Sequence, residues 1–229
     1  MGQYYIATVI DESDNIETLH PHDFDNGAKL MEFSLCGNLF VNAVLSLIHN
    51  KRAKVAFIGD YADEPFGDSE DFYTSVMPKE TYERYYQAAW SGYEKLKLRK
   101  YHIPESSKTL LETDTFGTYL VNHDRGEYID IAAYIKASKV FQWNHWWAIN
   151  PLPLLTACGN GLGGGDFNSR YIGSENVGLW AFATLEYTSL IPLEYKQVSF
   201  VFKEVEADDS EGIKCDGEAK DTVEVTICE

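Results

Sequence analysis

The stretch that decides the fold is Gln3–Leu19, QYYIATVIDESDNIETL. A β-rich run, QYYIATVI, meets the turn cluster DESDN and then a second short run around IETLH, so the chain is expected to open with a hairpin. The same pattern returns at Thr118–Ile131, TYLVNHDRGEYIDI, where His123-Asp124-Arg125-Gly126 forms the turn between two short strands. Further alternation is seen in YKQVSFVFKEV and TVEVTIC near the end. Strands that arrive in hairpin-like clusters argue against the strict strand–helix alternation of a doubly wound fold. The expected architecture is α+β, a single domain with a mostly antiparallel sheet and two main helices.

Those helices are read from spacing. Leu30, Met31 and Phe33, then Leu39, Phe40, Val41, Val44, Leu45 and Leu47, follow a helical period interrupted by Gly37, which predicts one short turn and a longer helix over about 38–49. Residues 78–99 carry Pro78 near the start, acids in the first turns and Lys/Arg in the last, as helix-end electrostatics favours. On that segment Tyr82, Tyr85, Tyr86, Ala89, Tyr93 and Leu96 make a tyrosine-rich face, expected to be a core face.

The 229 residues carry 19 basic and 36 acidic side chains, a net charge of −17. Binding that depends on neutralising phosphates is disfavoured by that balance, so no direct nucleic-acid or membrane partner is expected. The acids concentrate at the end: Glu204–Glu229 holds ten of them against Lys214 and Lys220. The organisation expected is an α+β domain over 1–205 and an acidic C-terminal extension over 206–229 that ends in a strand. No apolar run reaches the roughly 20 residues of a membrane helix, and the first residues lack a signal-peptide pattern, so a soluble cytoplasmic protein is expected. Cys36, Cys158, Cys215 and Cys228 have no metal-knuckle or disulfide-framework spacing, and the first two stand among apolar neighbours like core residues.

Two loops carry the candidate chemistry. The first follows PLPLLTAC: Gly159, Asn160, Gly161, Leu162, Gly163, Gly164, Gly165 and Asp166. Consecutive glycines let backbone N–H groups turn inward at positive φ and approach a ligand closely, so Gly159, Asn160, Gly161, Gly163, Gly164, Gly165 and Asp166 are candidate ligand-binding residues. A dinucleotide fingerprint would need a helix to begin there, but Asp166, Asn168 and Gly173 do not start one; the lysine of a phosphate-binding P-loop is also missing. The second loop, in KVAFIGDYAD, sets Asp60 and Asp63 three residues apart beyond a buried strand, a pair suited to a divalent cation, the one cofactor the sequence suggests. The GDYAD form is similar to one motif of calcineurin-like metallophosphoesterases, whose other metal ligands are not found here. His20-Pro21-His22-Asp23 could suit a transition metal, though a surface turn is the plainer expectation.

Taken in order, MGQYY, NGAKLMEFSLCGNLFVNAV, FIGDYAD, YLVNHDRGEYID, NPLPLLTACGNGLGGGDF and VGLWA resemble a broad group of uncharacterised bacterial and phage proteins that begin MGQYY. The resemblance runs from Met1 to about Glu204. It brings no known activity, so no catalytic residue follows from it. It does imply that Lys29, Glu32, Asp60, Asp63, the 159–166 loop and Trp180 belong to a shared pattern, from which LHPHDF and the acidic tail depart. The expected function is binding, not catalysis: a protein of bacterial or phage origin that grips a protein partner or a small nucleotide-like ligand, with counter-defence inhibition as one form of it. The alternative is a metal-dependent phosphoester hydrolase built on Asp60, Asp63 and Asp166.

Overall fold

The computed structural model describes residues 2–62, 77–91, 118–137, 139–142, 145–159, 165–166 and 176–198. Two strands, β1 (Tyr5–Asp11) and β2 (Ile16–Leu19), form the opening hairpin. A 3₁₀ turn at Pro21–Phe24 leads to the single helical turn α1 (Leu30–Phe33) and to α2 (Leu39–Leu47). Then come β3 (Ala53–Gly59), α3 (Lys79–Trp90), the hairpin β4 (Tyr119–Asn122) and β5 (Glu127–Asp130), and α4 (Ile131–Ala137). The chain continues through β6 (Lys139–Gln142), β7 (His145–Ala148), α5 (Pro151–Thr156), β8 (Ala157–Cys158), β9 (Thr184–Thr188) and β10 (Lys196–Gln197).

Eight strands make one sheet in the order β10-β5-β4-β9-β3-β1-β2, with β8 beside β3; β6 and β7 pair separately. The fold is α+β and mostly antiparallel, as expected, and α2 and α3 are the longest of the described helices. Among the described strands two pairings are parallel, β10 with β5 and β8 with β3. β1 takes one whole edge of β3, from Tyr5 opposite Gly59 to Asp11 opposite Ala53. The other edge is shared: β9 pairs with Ala53 and Lys54, and β8 with Phe57 and Ile58.

Both faces of the central strands are buried, because successive side chains alternate in direction. Tyr5, Ala7, Val9, Val55 and Phe57 point to a core shared with α1, α2 and α5. Ile6, Ile10, Ala56 and Ile58 point to a second, under α3. In the first core Phe57 stacks on Phe33 at 5.5 Å and meets Phe40 edge-on at 5.7 Å. Each such ring contributes about 1.5–3 kcal/mol by leaving water. The second core takes Tyr82, Tyr85 and Ala89, so the tyrosine stripe is a core face where it is described; Tyr93 and Leu96 lie outside the described residues.

Caps set the boundaries. Asn38 Oδ1 accepts from the Phe40 and Val41 N–H groups and starts α2 after Gly37 turns at φ +83°. At α5 Asn150 Oδ1 accepts from Leu152 N–H, and Pro151 fills the first turn, where a missing N–H costs nothing. Apolar spacing alone gives no sign of this helix. The histidine pair also differs from a plain surface turn. His20 is buried, and its Nδ1 accepts from His22 N–H at 3.2 Å, which caps the 3₁₀ turn. The boundary at 205 and the acidic extension 206–229 lie outside the described residues.

Candidate functional site

Because β3 and β8 run parallel and in register, with Phe57 beside Ala157 and Ile58 beside Cys158, they end side by side. The two loops singled out in the sequence therefore leave the sheet together, one at Gly59–Asp60 and the other at Gly159. The antiparallel β1 begins at the same place, with Tyr5 opposite Gly59. This brings Gln3 and Tyr5, which nothing in the sequence marks as more than a strand entry, into the site.

Gln3 is fully buried and Tyr5 nearly so. The Tyr5 hydroxyl donates to Gln3 Oε1 at 2.9 Å. Gly159 lies flat against both groups: a Cβ there would stand 2.5 Å from the Tyr5 oxygen and 2.7 Å from Gln3 Oε1. Gly59 presses on the amide end of the same glutamine. Glycine is needed here for close approach, since any larger residue would push the buried amide aside.

Asp60 is tied to the chain entry by a reciprocal pair: Tyr4 N–H donates to Asp60 Oδ1 at 3.0 Å, and Asp60 N–H donates to the Tyr4 carbonyl at 2.9 Å. From α3, Tyr86 donates to the Asp60 carbonyl at 2.9 Å and Tyr82 donates to the Ala62 carbonyl. The tyrosine face thus does two things, filling the core with rings and pinning the Asp60 loop with hydroxyls. Burial raises the Asp60 carboxyl above the ordinary aspartate value, against the opposing pull of the Tyr4, Asp60 and Tyr61 N–H groups.

Asp166 is 2% exposed. Gly165 before it turns at φ +93°, and its carbonyl accepts from Met31 N–H at 2.9 Å, which fastens the end of the glycine-rich loop to the start of α1. A Cβ at Gly165 would stand 2.8 Å from Lys29 Cδ, so the Lys29 stem crosses the loop there. Glu32, on the same turn, accepts from Lys29 N–H at 3.0 Å. Tyr5 feels the whole cluster. Burial first, then the charge and hydrogen bond of Asp166, then Cys158 and Asp60, push its hydroxyl far above the ordinary tyrosine value. Tyr5 is therefore a neutral donor, not a base. Burial likewise pushes the Cys158 thiol up to about 12, opposed by its contact with Tyr82, so it is no thiolate nucleophile at neutral pH.

Of the residues picked from the sequence, Gly159 packs on Tyr5 and Gln3, Asp60 and Asp166 lie near the Tyr5 hydroxyl, and Gly165 packs on Lys29 at the start of α1. Asp63, Asn160, Gly161, Gly163 and Gly164 lie outside the described residues. Among the described residues no three His, Cys, Asp or Glu side chains gather to hold a metal ion. None of the described helices is long and apolar enough to cross a membrane. What the site offers is carboxylate and amide acceptors beside a neutral hydroxyl donor, at a wall made thin by glycine. Comparison with family models, with curated proteins and with solved structures finds no match for this chain.

Proposed function

We propose that the protein is a binding protein whose ligand docks where β3 and β8 end. The observation that carries this is the parallel pairing of β3 with β8, with Tyr5 opposite Gly59, which brings the Asp60 loop and Gly159, about a hundred residues apart in sequence, together at the buried Gln3–Tyr5 pair. Carboxylates held in a partly dry site attract ligand N–H and O–H groups strongly. A small nucleotide-like ligand, reaching in with base or ribose donors, suits that chemistry; its phosphates do not, beside two carboxylates and a net charge of −17. Thermal melts with ribonucleosides and ribonucleotides test it. A ligand that binds only the folded state raises the melting temperature, and Asp166→Asn should abolish the rise. If no nucleoside or nucleotide shifts the wild type, the small-ligand form falls and a protein partner takes its place.

The same convergence favours a second reading, the metal-dependent phosphoester hydrolase. Asp60 and Asp166 would supply two of its three carboxylates, and Asp63 the third. Here Mg²⁺, Mn²⁺ or Zn²⁺ alone should raise the melting temperature, and Asp60→Asn should remove the effect. Stabilisation by nucleoside without any metal, and none by metal alone, would decide for binding.

A further inference from the structure

A second constellation lies on the other side of β3 from β1. Glu186 on β9 sits opposite Val121 on β4, and His123 follows β4 in the turn to β5. His123 Nε2 is 2.8 Å from Glu186 Oε2, and His123 Nδ1 is 3.1 Å from the Tyr195 hydroxyl. The backbone holds this histidine firmly: His123 N–H donates to the Thr184 carbonyl at 2.9 Å, and Asp124 Oδ2 accepts from Thr184 N–H at 2.8 Å. The His123 and Glu186 side chains are 7% and 20% exposed, while Tyr195 is half-buried and meets the imidazole edge-on at 5.7 Å.

With Glu186 ionised and His123 neutral, the carboxylate accepts from His123 Nε2–H, and the lone pair at Nδ1 accepts the Tyr195 O–H. This is the arrangement of a nucleophile, a base and an orienting carboxylate. The half-buried Glu186 carboxylate stands behind the imidazole, on the nitrogen opposite the one that meets Tyr195.

We propose that Tyr195 is an activated nucleophile that accepts an acyl group from activated esters or thioesters, with His123 as its base and Glu186 as the positioning residue. Tyr195 oxygen bonds to the acyl carbon as its proton passes to His123 Nδ1. The bond from acyl carbon to the leaving oxygen or sulfur breaks, and His123 returns the proton to that leaving group. Nothing is oxidised or reduced. The site shares no residue with the one around Tyr5, so it stands or falls independently of the function proposed above.

The test treats the full chain with p-nitrophenyl acetate, follows p-nitrophenol release, and locates acetyl groups by peptide mass mapping. General-base assistance predicts acetylation of Tyr195 at least about ten-fold faster than of Tyr4 and Tyr61, which are more exposed. Tyr195→Phe should remove the fast phase. Glu186→Gln keeps an acceptor for Nε2–H but loses the charge, and should slow Tyr195 about ten-fold with circular dichroism unchanged. His123→Ala should slow Tyr195 to the pace of Tyr4 and Tyr61. Acetylation of Tyr195 at the pace of Tyr4, or a folded Glu186→Gln variant as fast as wild type, overturns the proposal. Should His123→Ala fail to fold, those two measurements still decide.

Discussion

The two ends of β1 treat their acids in opposite ways. At the Tyr5 end, burial raises the Asp60 carboxyl, and Asp166 is shut in next to Tyr5. At the Asp11 end, hydrogen bonds lower the carboxyls instead. Asp11 accepts from the Asn15 side chain at 2.8 Å, from Asn15 N–H at 2.9 Å and from Ser13 N–H at 2.8 Å. Asp14 is lowered by the Arg84 guanidinium at 2.6 Å and by the Tyr85 hydroxyl at 3.1 Å. The turn acids stabilise the fold when charged, whereas the charged Asp60 opposes it. A carboxylate kept at a cost, beside close-packed glycines, is the one for which a function has to be sought.

The comparison breaks first at the glycines. Gly159→Ala should destabilise the protein by about 1–3 kcal/mol, because its Cβ overpacks a buried amide and hydroxyl. Gly37→Ala serves as the control. It sits at positive φ, as Gly159 does not, and has no atom within 4 Å of the added Cβ, so only backbone strain of about 1 kcal/mol is expected. Urea denaturation of both variants measures the difference. Adding Gln3→Ala should recover part of the loss at Gly159 and none at Gly37, since only the former shares a contact with Gln3. Equal costs at both positions would mean that the Tyr5 end is no tighter than an ordinary turn.

Much of this frame was legible from local signals, and the site only by halves. The hairpins at Tyr5–Leu19 and Tyr119–Asp130 follow from alternation and turn residues, and α2 follows from its spacing and from Gly37. Both loops of the site stand out by composition. That they belong together depends on β8 lying parallel to β3, a pairing of two residues per strand across a hundred positions, which no local pattern encodes. Gln3 and Tyr5 were invisible for a related reason: a polar residue before a strand is ordinary until two glycines close on it. Pro151 and Pro153 hide α5, because its stability comes from the Asn150 cap and complete burial, not from propensity. The Glu186–His123–Tyr195 array joins three distant residues by strand register and has no motif.

The pH dependence of Asp60 sharpens the contrast next. Its folded-state carboxyl is raised, so the folded protein holds the proton more tightly than the unfolded chain. Stability therefore falls as pH climbs from the ordinary aspartate value, about 3.9, through the raised one. Asp60→Asn removes that slope while still accepting from Tyr4 N–H. The variant should be more stable than wild type near neutrality and equal to it at about pH 3, yet should lose ligand or metal stabilisation. A variant that is less stable at neutral pH would show that the charge supports the fold, and the two ends of β1 would then be alike.

The smallest effect is expected at Asp14, and its sign is the opposite one. Its folded-state carboxyl is lowered, first by the Arg84 hydrogen bond, so its contribution is present above the ordinary aspartate value and is lost as pH falls through the lowered one. Asp14→Asn should therefore lower the urea midpoint slightly at neutral pH and change nothing once the wild-type carboxyl is protonated. Half the surface of each partner is open to water, 49% for Arg84 and 51% for Asp14, so solvent screens the pair and ordering the long arginine offsets much of the attraction. Salt separates this charge effect from any loss of shape: at about 1 M the Debye length shrinks to roughly 3 Å, and the wild-type advantage should shrink with it. An advantage that persists in high salt would place the stabilisation in the hydrogen-bond geometry around Tyr85 and Arg84. One that grows as pH falls would give Asp14 the sign of Asp60, and the division of β1 into a stabilising end and a costly end would fail at its weaker side.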